Sequence, residues 1–203
     1  MTHLNPIAND LESFSSDLLN LAAGKSIHSK HYNHETGKLT AGEFLNSNDI
    51  IIASGLHTLH LPILRETIDL KIFLDIDEDL RRQLKIERDV TERGHSKEKV
   101  ISVIAARKSD GEKYIYPQKN YADLSFSLQP INPEHIRDGS QRIKSIGLKL
   151  SLESRIGFNQ QELIRILIGF CGLHVDYEWN HRLQANEMTI EGDISAEDIE
   201  LAN

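Results

Sequence analysis

Apolar residues divide the chain into alternating helical and extended stretches. Leu11, Phe14, Leu18 and Leu21 recur at helical intervals behind Asn9 and Asp10, which suit a cap, and Gly24 stands where such a helix would stop. The polar, turn-rich GKSIHSKHYNHETGKL that follows reads as a surface loop. Residues 49–53 (DIIIA) form a β-branched run ahead of Ser54-Gly55, the pattern of a buried parallel strand, and residues 70–75 (LKIFLD) form a second. A helix is predicted from Glu78 to Thr91 or Glu92, ending near Gly94, and Ser96 is placed to cap the next, which carries Val100, Ile101, Ile104 and Ala105. Leu124, Phe126 and Leu128 alternate with serines as a third strand. Strands interleaved with helices define the α/β class, with a partial parallel sheet and flanking helices. Ligands in such folds gather beyond the carboxyl ends of the strands, here near Ser54, Gly55 and Asp75.

After QPINPEH the pattern changes. LKLSLES, the helical NQQELIRILIGF, then LHVDYEWN and EMTIEGDIS predict two or three antiparallel strands with one helix, and an acidic helical start at Ala196. The prolines and polar residues around 132–137 mark a boundary, giving an α/β region over 1–131 and a small α+β appendage over 132–203. Apolar residues make up 39% of the 203, and the five prolines and twelve glycines are dispersed, so no long disordered linker is expected. Cys171 is the only cysteine; it excludes an intramolecular disulfide and, within IGFCGL, reads as a buried structural thiol. The N-terminus lacks the basic start and apolar core of a secretory signal, and Glu162 and Arg165 interrupt the longest apolar run, so a cytoplasmic location without membrane contact is expected.

Charge sharpens the picture. A net −8 argues against nonspecific nucleic-acid binding, which depends on neutralising many phosphates. Yet residues 81–108 hold nine Lys or Arg against four acids. Within them Arg81, Lys85 and Arg88 share one helical stripe, and Arg93 follows where Gly94 lets the chain turn. Guanidinium forks bind phosphate bidentately, and a lysine adds a compact point charge. The stripe is therefore either a site for a small anion or a solvated helix face with Glu87 and Glu92 as neighbours.

The stretch IIIASGLHTLH through KNYAD resembles the middle and distal part of the phosphoribulokinase and uridine kinase family, and the phosphoribulokinase branch more closely. The resemblance rests on Arg88-Asp89, Glu92-Arg93-Gly94-His95-Ser96, Ala106-Arg107-Lys108, Pro117-Gln118-Lys119 and Tyr121-Ala122-Asp123, and extends upstream through HYNHETGKL. It implies a P-loop-kinase-like α/β fold and MgATP-dependent phosphorylation of a hydroxyl on a sugar phosphate or nucleoside. By the same resemblance Lys85, Arg88 and Arg93 take lid positions that meet nucleotide and acceptor phosphates. Tyr32 and His34 fall where the acceptor is contacted, with Arg107 in a matching segment.

Two departures stand out. The family's phosphate loop, GxxxxGK[ST], is absent: Ala23-Gly24-Lys25-Ser26 imitates its end, but the earlier glycine position is Leu19 and the segment follows a helix, so it reads as a helix stop. Ser54 also stands where the family has an acid before Gly-Leu-His, a position that helps organise magnesium, which leaves Asp75 as a weak substitute or as the cap of the following helix. The expectation is a chain with no intact catalytic set and weak or no phosphotransferase activity alone, whose partners are a small phosphorylated ligand and either a second copy or a polypeptide supplying the missing strand and loop. The alternatives are a non-catalytic phosphate-binding or regulatory module, or half of a split kinase. The His28/His31/His34 array, in a loop with no cysteine or fourth ligand, reads as exposed loop histidines before a zinc site, His57 and His60 form an HxxH pair, and Tyr177 with Trp179 reads as one face of a strand before a stacking platform.

Overall fold

A computed structural model of the chain describes residues 2–33, 38–137, 147–156, 160–169, 171–180 and 185–192. They fall into two compact units, Met1–Lys71 with Arg107–Tyr121, and Ile72–Ala106 with Ala122–Asn203.

In the first unit Asp10 caps α1 (Leu11–Ala22) by accepting the Ser13 N–H at 3.1 Å, and Gly24, at φ 79°, ends it. The N–H groups of Ala23, Gly24 and Lys25 all donate back to α1 carbonyls. The Ala23–Ser26 segment is thus a helix stop, not an anion cradle. Most of the described part of the polar stretch that follows is strand: β1 (Ile27–Asn33) pairs with β2 (Lys38–Leu45), antiparallel from Ile27↔Leu45 to Asn33↔Lys38. An exposed two-stranded ribbon needs no apolar alternation, so the pattern concealed it. Specific contacts hold it: Lys30 Nζ reaches Asp10 at 2.9 Å and Ser13 Oγ at 2.6 Å, and the His28 ring lies 5.0 Å from that of Phe44.

Residues 49–53 correct the sequence reading in the other direction. They carry no strand, and Ile50 and Ile52 are 80% and 90% exposed. β-branched residues favour extended backbone, but a strand also needs a neighbour for its N–H and C=O groups, and among the described residues none pairs with it. A turn over residues 56–60 leads to α2 (Pro62–Thr67), whose Leu64 is fully buried.

The second unit is built on a mixed sheet in the order β3-β4-β5-β7-β6, from β3 (Ile72–Ile76), β4 (Leu124–Pro130), β5 (Leu148–Ser154), β6 (His174–Asn180) and β7 (Ala185–Glu191). β3 and β4 pair in parallel, Ile72↔Leu124 to Ile76↔Leu128, and the remaining pairs are antiparallel. The register puts Leu74, Phe126, Leu152, Met188 and Tyr177 on one apolar face, whose centre is buried at Leu152 and Met188. The strands β5 to β7 and α6 (Gln160–Gly169) match the antiparallel grammar read after residue 132. The helical start at Ala196 lies outside the described residues.

Between β3 and β4 run α3 (Glu78–Thr91) and α4 (Lys97–Asp110), and α4 continues through a π-helical turn, Gly111–Ile115, and a 3-10 turn, Tyr116–Tyr121. The short α5 (Glu134–Arg137) follows β4, and its Ile136 packs with Leu80 of α3 against Ile76, Leu84, Leu128 and Leu148. The α3 cap is Asp77, which accepts the Leu80 N–H at 3.0 Å, and not Asp75, whose Oδ1 accepts the N–H of Ile76. A side chain inside the strand lies a residue too early to reach the first turn.

Candidate anion-binding site

The packing of Leu80 and Leu84 against the sheet sets the rotation of α3, and with it the stripe that carries Lys85 and Arg88. Four charged side chains meet there. Asp89, with 7% of its side chain exposed, accepts from Lys85 Nζ at 2.7 Å on Oδ2, and from Arg88 Nε at 3.0 Å and Nη2 at 2.9 Å on Oδ1. Arg93 Nη1 stands 3.4 Å from the same Oδ1. The Lys85 hydrogen bond, opposed by burial and reinforced by Arg88, holds the Asp89 carboxyl down at about 2. Gly94, at φ 65°, turns the chain, the His95 N–H donates to the Asp89 carbonyl at 3.0 Å, and Ser96 Oγ accepts from Lys99 N to start α4.

Three cations gathered on one carboxylate leave a local excess of positive charge. Lys85 is largely enclosed, whereas Arg88 and Arg93 are 46% and 56% exposed and keep N–H donors for a second anion. Such a pair of forks held at their base can grip a phosphate from two sides. Asp89 was not among the sequence-predicted site residues. Its signal was positional, a carboxylate four residues after Lys85 and four before Arg93.

The other predicted residues are placed as follows. Tyr32 pairs in β1 with Leu39, His34 lies outside the described residues, and Arg107 is half-buried in the last turn of α4. Tyr32, Arg107 and the exposed Ser54 belong to the first compact unit, and Lys85, Arg88, Arg93 and the half-buried Asp75 to the second. Among the described residues no three His, Cys, Asp or Glu side chains group to hold a metal. The sequence contains no GxxxxGK[ST] phosphate loop, and the exposed Ser54 presents a neutral hydroxyl, not a carboxylate. No helix among the described residues is long and apolar enough to cross a membrane.

The fold is that of a P-loop-type small-molecule kinase: phosphoribulokinase from Rhodobacter spheroides superposes with a TM-score of 0.68 at 18% identity, covering 100% of this chain and 71% of that one. Residues 1–133 match the model of the phosphoribulokinase / uridine kinase family. The chain belongs to that family. Phosphoribulokinase from Synechocystis sp. is 40% identical over 130 residues, which is 64% of this chain and 39% of that protein. Uridine-cytidine kinase A from Dictyostelium discoideum is 31% identical over 169 residues, 80% of this chain and 32% of that protein, so the chain is closer to the phosphoribulokinase branch. It spans well under half the length of either relative.

Proposed function

We propose that the chain is the lid and acceptor-side portion of a phosphoribulokinase-like phosphotransferase, and that Lys85, Arg88 and Arg93 bind the phosphate of a small phosphorylated ligand. The observation that carries this is the Asp89-centred cluster, which fixes the bases of two solvent-reaching guanidinium groups. In this reading Tyr32, His34 and Arg107 contact the acceptor, and nucleotide and magnesium are supplied with a phosphate loop that this sequence does not contain. Alone, the chain binds anions and transfers phosphoryl groups weakly or not at all.

Thermal unfolding in rising sulfate or sugar phosphate tests the site. A ligand that binds only the folded chain at a hundred times its Kd adds about 2.7 kcal/mol, a shift of several degrees. The shift should disappear in Arg88→Ala and Arg93→Ala. Equal shifts in wild type and both variants would return these residues to a solvated helix face. A second reading, a non-catalytic phosphate-binding or regulatory module, is favoured by Ser54 and the missing loop. It predicts the same shift with no activity under any complementation.

A further inference from the structure

The turn over residues 56–60 buries a histidine, His57, 4% exposed, whose two ring nitrogens have no hydrogen-bond partner. Its position is imposed by the chain on both sides. The buried Gln118 side chain accepts the Leu59 N–H at 3.0 Å and donates to the Leu56 and Tyr114 carbonyls, each at 2.8 Å. The turn is therefore tied to the end of the π-helical segment. On the N-terminal side, the Thr2 N–H and Oγ1 both bind Asp110 Oδ2, at 3.0 and 2.8 Å, and Asn9 Nδ2 donates to the His3 carbonyl at 3.0 Å.

The ionisable groups around His57 all disfavour its charge. The His60 ring stands edge-on at 5.6 Å, and His60 itself stands edge-on to Tyr114 at 6.1 Å. Burial, then His60, and to a lesser degree the charge of His3 lower the His57 pKa from 6.5. The His3 backbone pulls the other way, without reaching either ring nitrogen at hydrogen-bond geometry. Among the described residues the ionisable side chains acting on the ring are the imidazoles of His60 and His3.

We propose that His57 is an acid-sensitive latch: protonation expels its ring, and the 56–60 turn and the N-terminal segment over residues 2–9 come away from residues 110–121. An imidazolium left in place would be a buried cation beside two further imidazoles, with no hydrogen-bond partner on either ring nitrogen. The sign follows from linkage. The closed form holds His57 neutral while the open form binds a proton near the ordinary value, so the closed form is fully stable above about pH 6.5. Below that it loses up to about tenfold in population ratio per pH unit. The Asp110 carboxyl, whose pKa is lowered by its bonds from Thr2, loosens its grip only below its ordinary 3.8, so the two effects occupy different windows. The inference stands on the first unit alone and does not depend on the anion site.

Nuclear magnetic resonance on the intact chain between pH 7.5 and 5 tests it, with the His57 ring and the Leu59 amide followed together. The expected result is that the Leu59 protection factor falls about tenfold per pH unit below 6.5 in wild type and stays flat in His57→Phe, while sulfate stabilisation is unchanged in both at pH 7.5. A His57 ring that titrates at or above 6.5 with full Leu59 protection would overturn the latch. So would a His57→Phe variant that opens with the same pH dependence. If that variant fails to fold, the wild-type titration decides alone.

Discussion

At the scale of single residues the site turns on Asp89. Its carboxyl, held at about 2 against an ordinary 3.8, is stabilised in the folded chain, so its contribution is fully present above about pH 4 and is lost as pH falls through 2. Asp89→Asn would keep the volume and remove the charge, leaving the enclosed Lys85 ammonium without its anion. Stability at pH 7 should fall by about 1–3 kcal/mol, and the acid limb of the unfolding curve between pH 4 and 2 should flatten. Chemical denaturation at several pH values measures both; an unchanged acid limb would mean that Asp89 does not hold the cluster. Spacing put Arg81, Lys85 and Arg88 on one helical stripe with Arg93 at the turn beyond it, and the family resemblance singled out Lys85, Arg88 and Arg93 from a solvated face. Spacing could not reveal Asp89 as their centre, since a carboxylate at i+4 serves equally as a solvated partner, and burial decides between the two.

At the scale of elements, helices and strands with an apolar side were readable, and the polar strands of the ribbon were not. The helix from Glu78 was read to its end near Gly94, and serine alternation announced β4, which has a well-defined apolar side. The β1–β2 ribbon has none, and its register depends on a tertiary detail, an irregularity between His28 and Lys30 with Gly42 close by. A Cβ on Gly42 would lie 2.9 Å from the Ser29 carbonyl oxygen and closer still to Ser29 Oγ. Gly42→Ala should therefore destabilise the first unit by about 1–3 kcal/mol, as overpacking does. Gly24→Ala meets open space and bears only the cost of a left-handed conformation, about 1 kcal/mol. Denaturant unfolding of the two variants separates these values; equal losses would mean that the ribbon tolerates a side chain at 42. Residues 49–53 failed in the opposite sense: local propensity for extended backbone was satisfied while strand pairing was not.

At the scale of the whole molecule, apolar surface is left open in each unit. In the first it is the 50–56 segment, and in the second it is β3, an edge strand in the sheet order whose Leu74 is 78% exposed on the apolar face. Parallel strands are ordinarily covered on both faces, and an apolar edge without proline, bulge or lysine invites another strand. The whole chain has a counterpart in the Rhodobacter kinase, while 71% of that chain is accounted for here, so the related structure holds further polypeptide that could cover such surfaces. We expect that the purified chain binds MgATP weakly, self-associates as concentration rises, and combines instead with a co-expressed polypeptide carrying the strand and phosphate loop of a related phosphoribulokinase. Self-pairing is the poorer solution: a two-fold pairing of β3 centred on Leu74 is antiparallel and sets the charged Asp75 opposite the Phe73 ring on each side. Leu74→Lys places a charge on the open strand at an exposed position, so it should leave the melting temperature within a degree or two while reducing both self-association and capture at least tenfold. Light scattering across concentrations reads the first effect and co-purification the second, with ATP consumption by the captured complex reporting whether phosphoryl transfer returns. A monomer at high concentration that captures no such polypeptide would leave the phosphate-binding module as the surviving account of this chain.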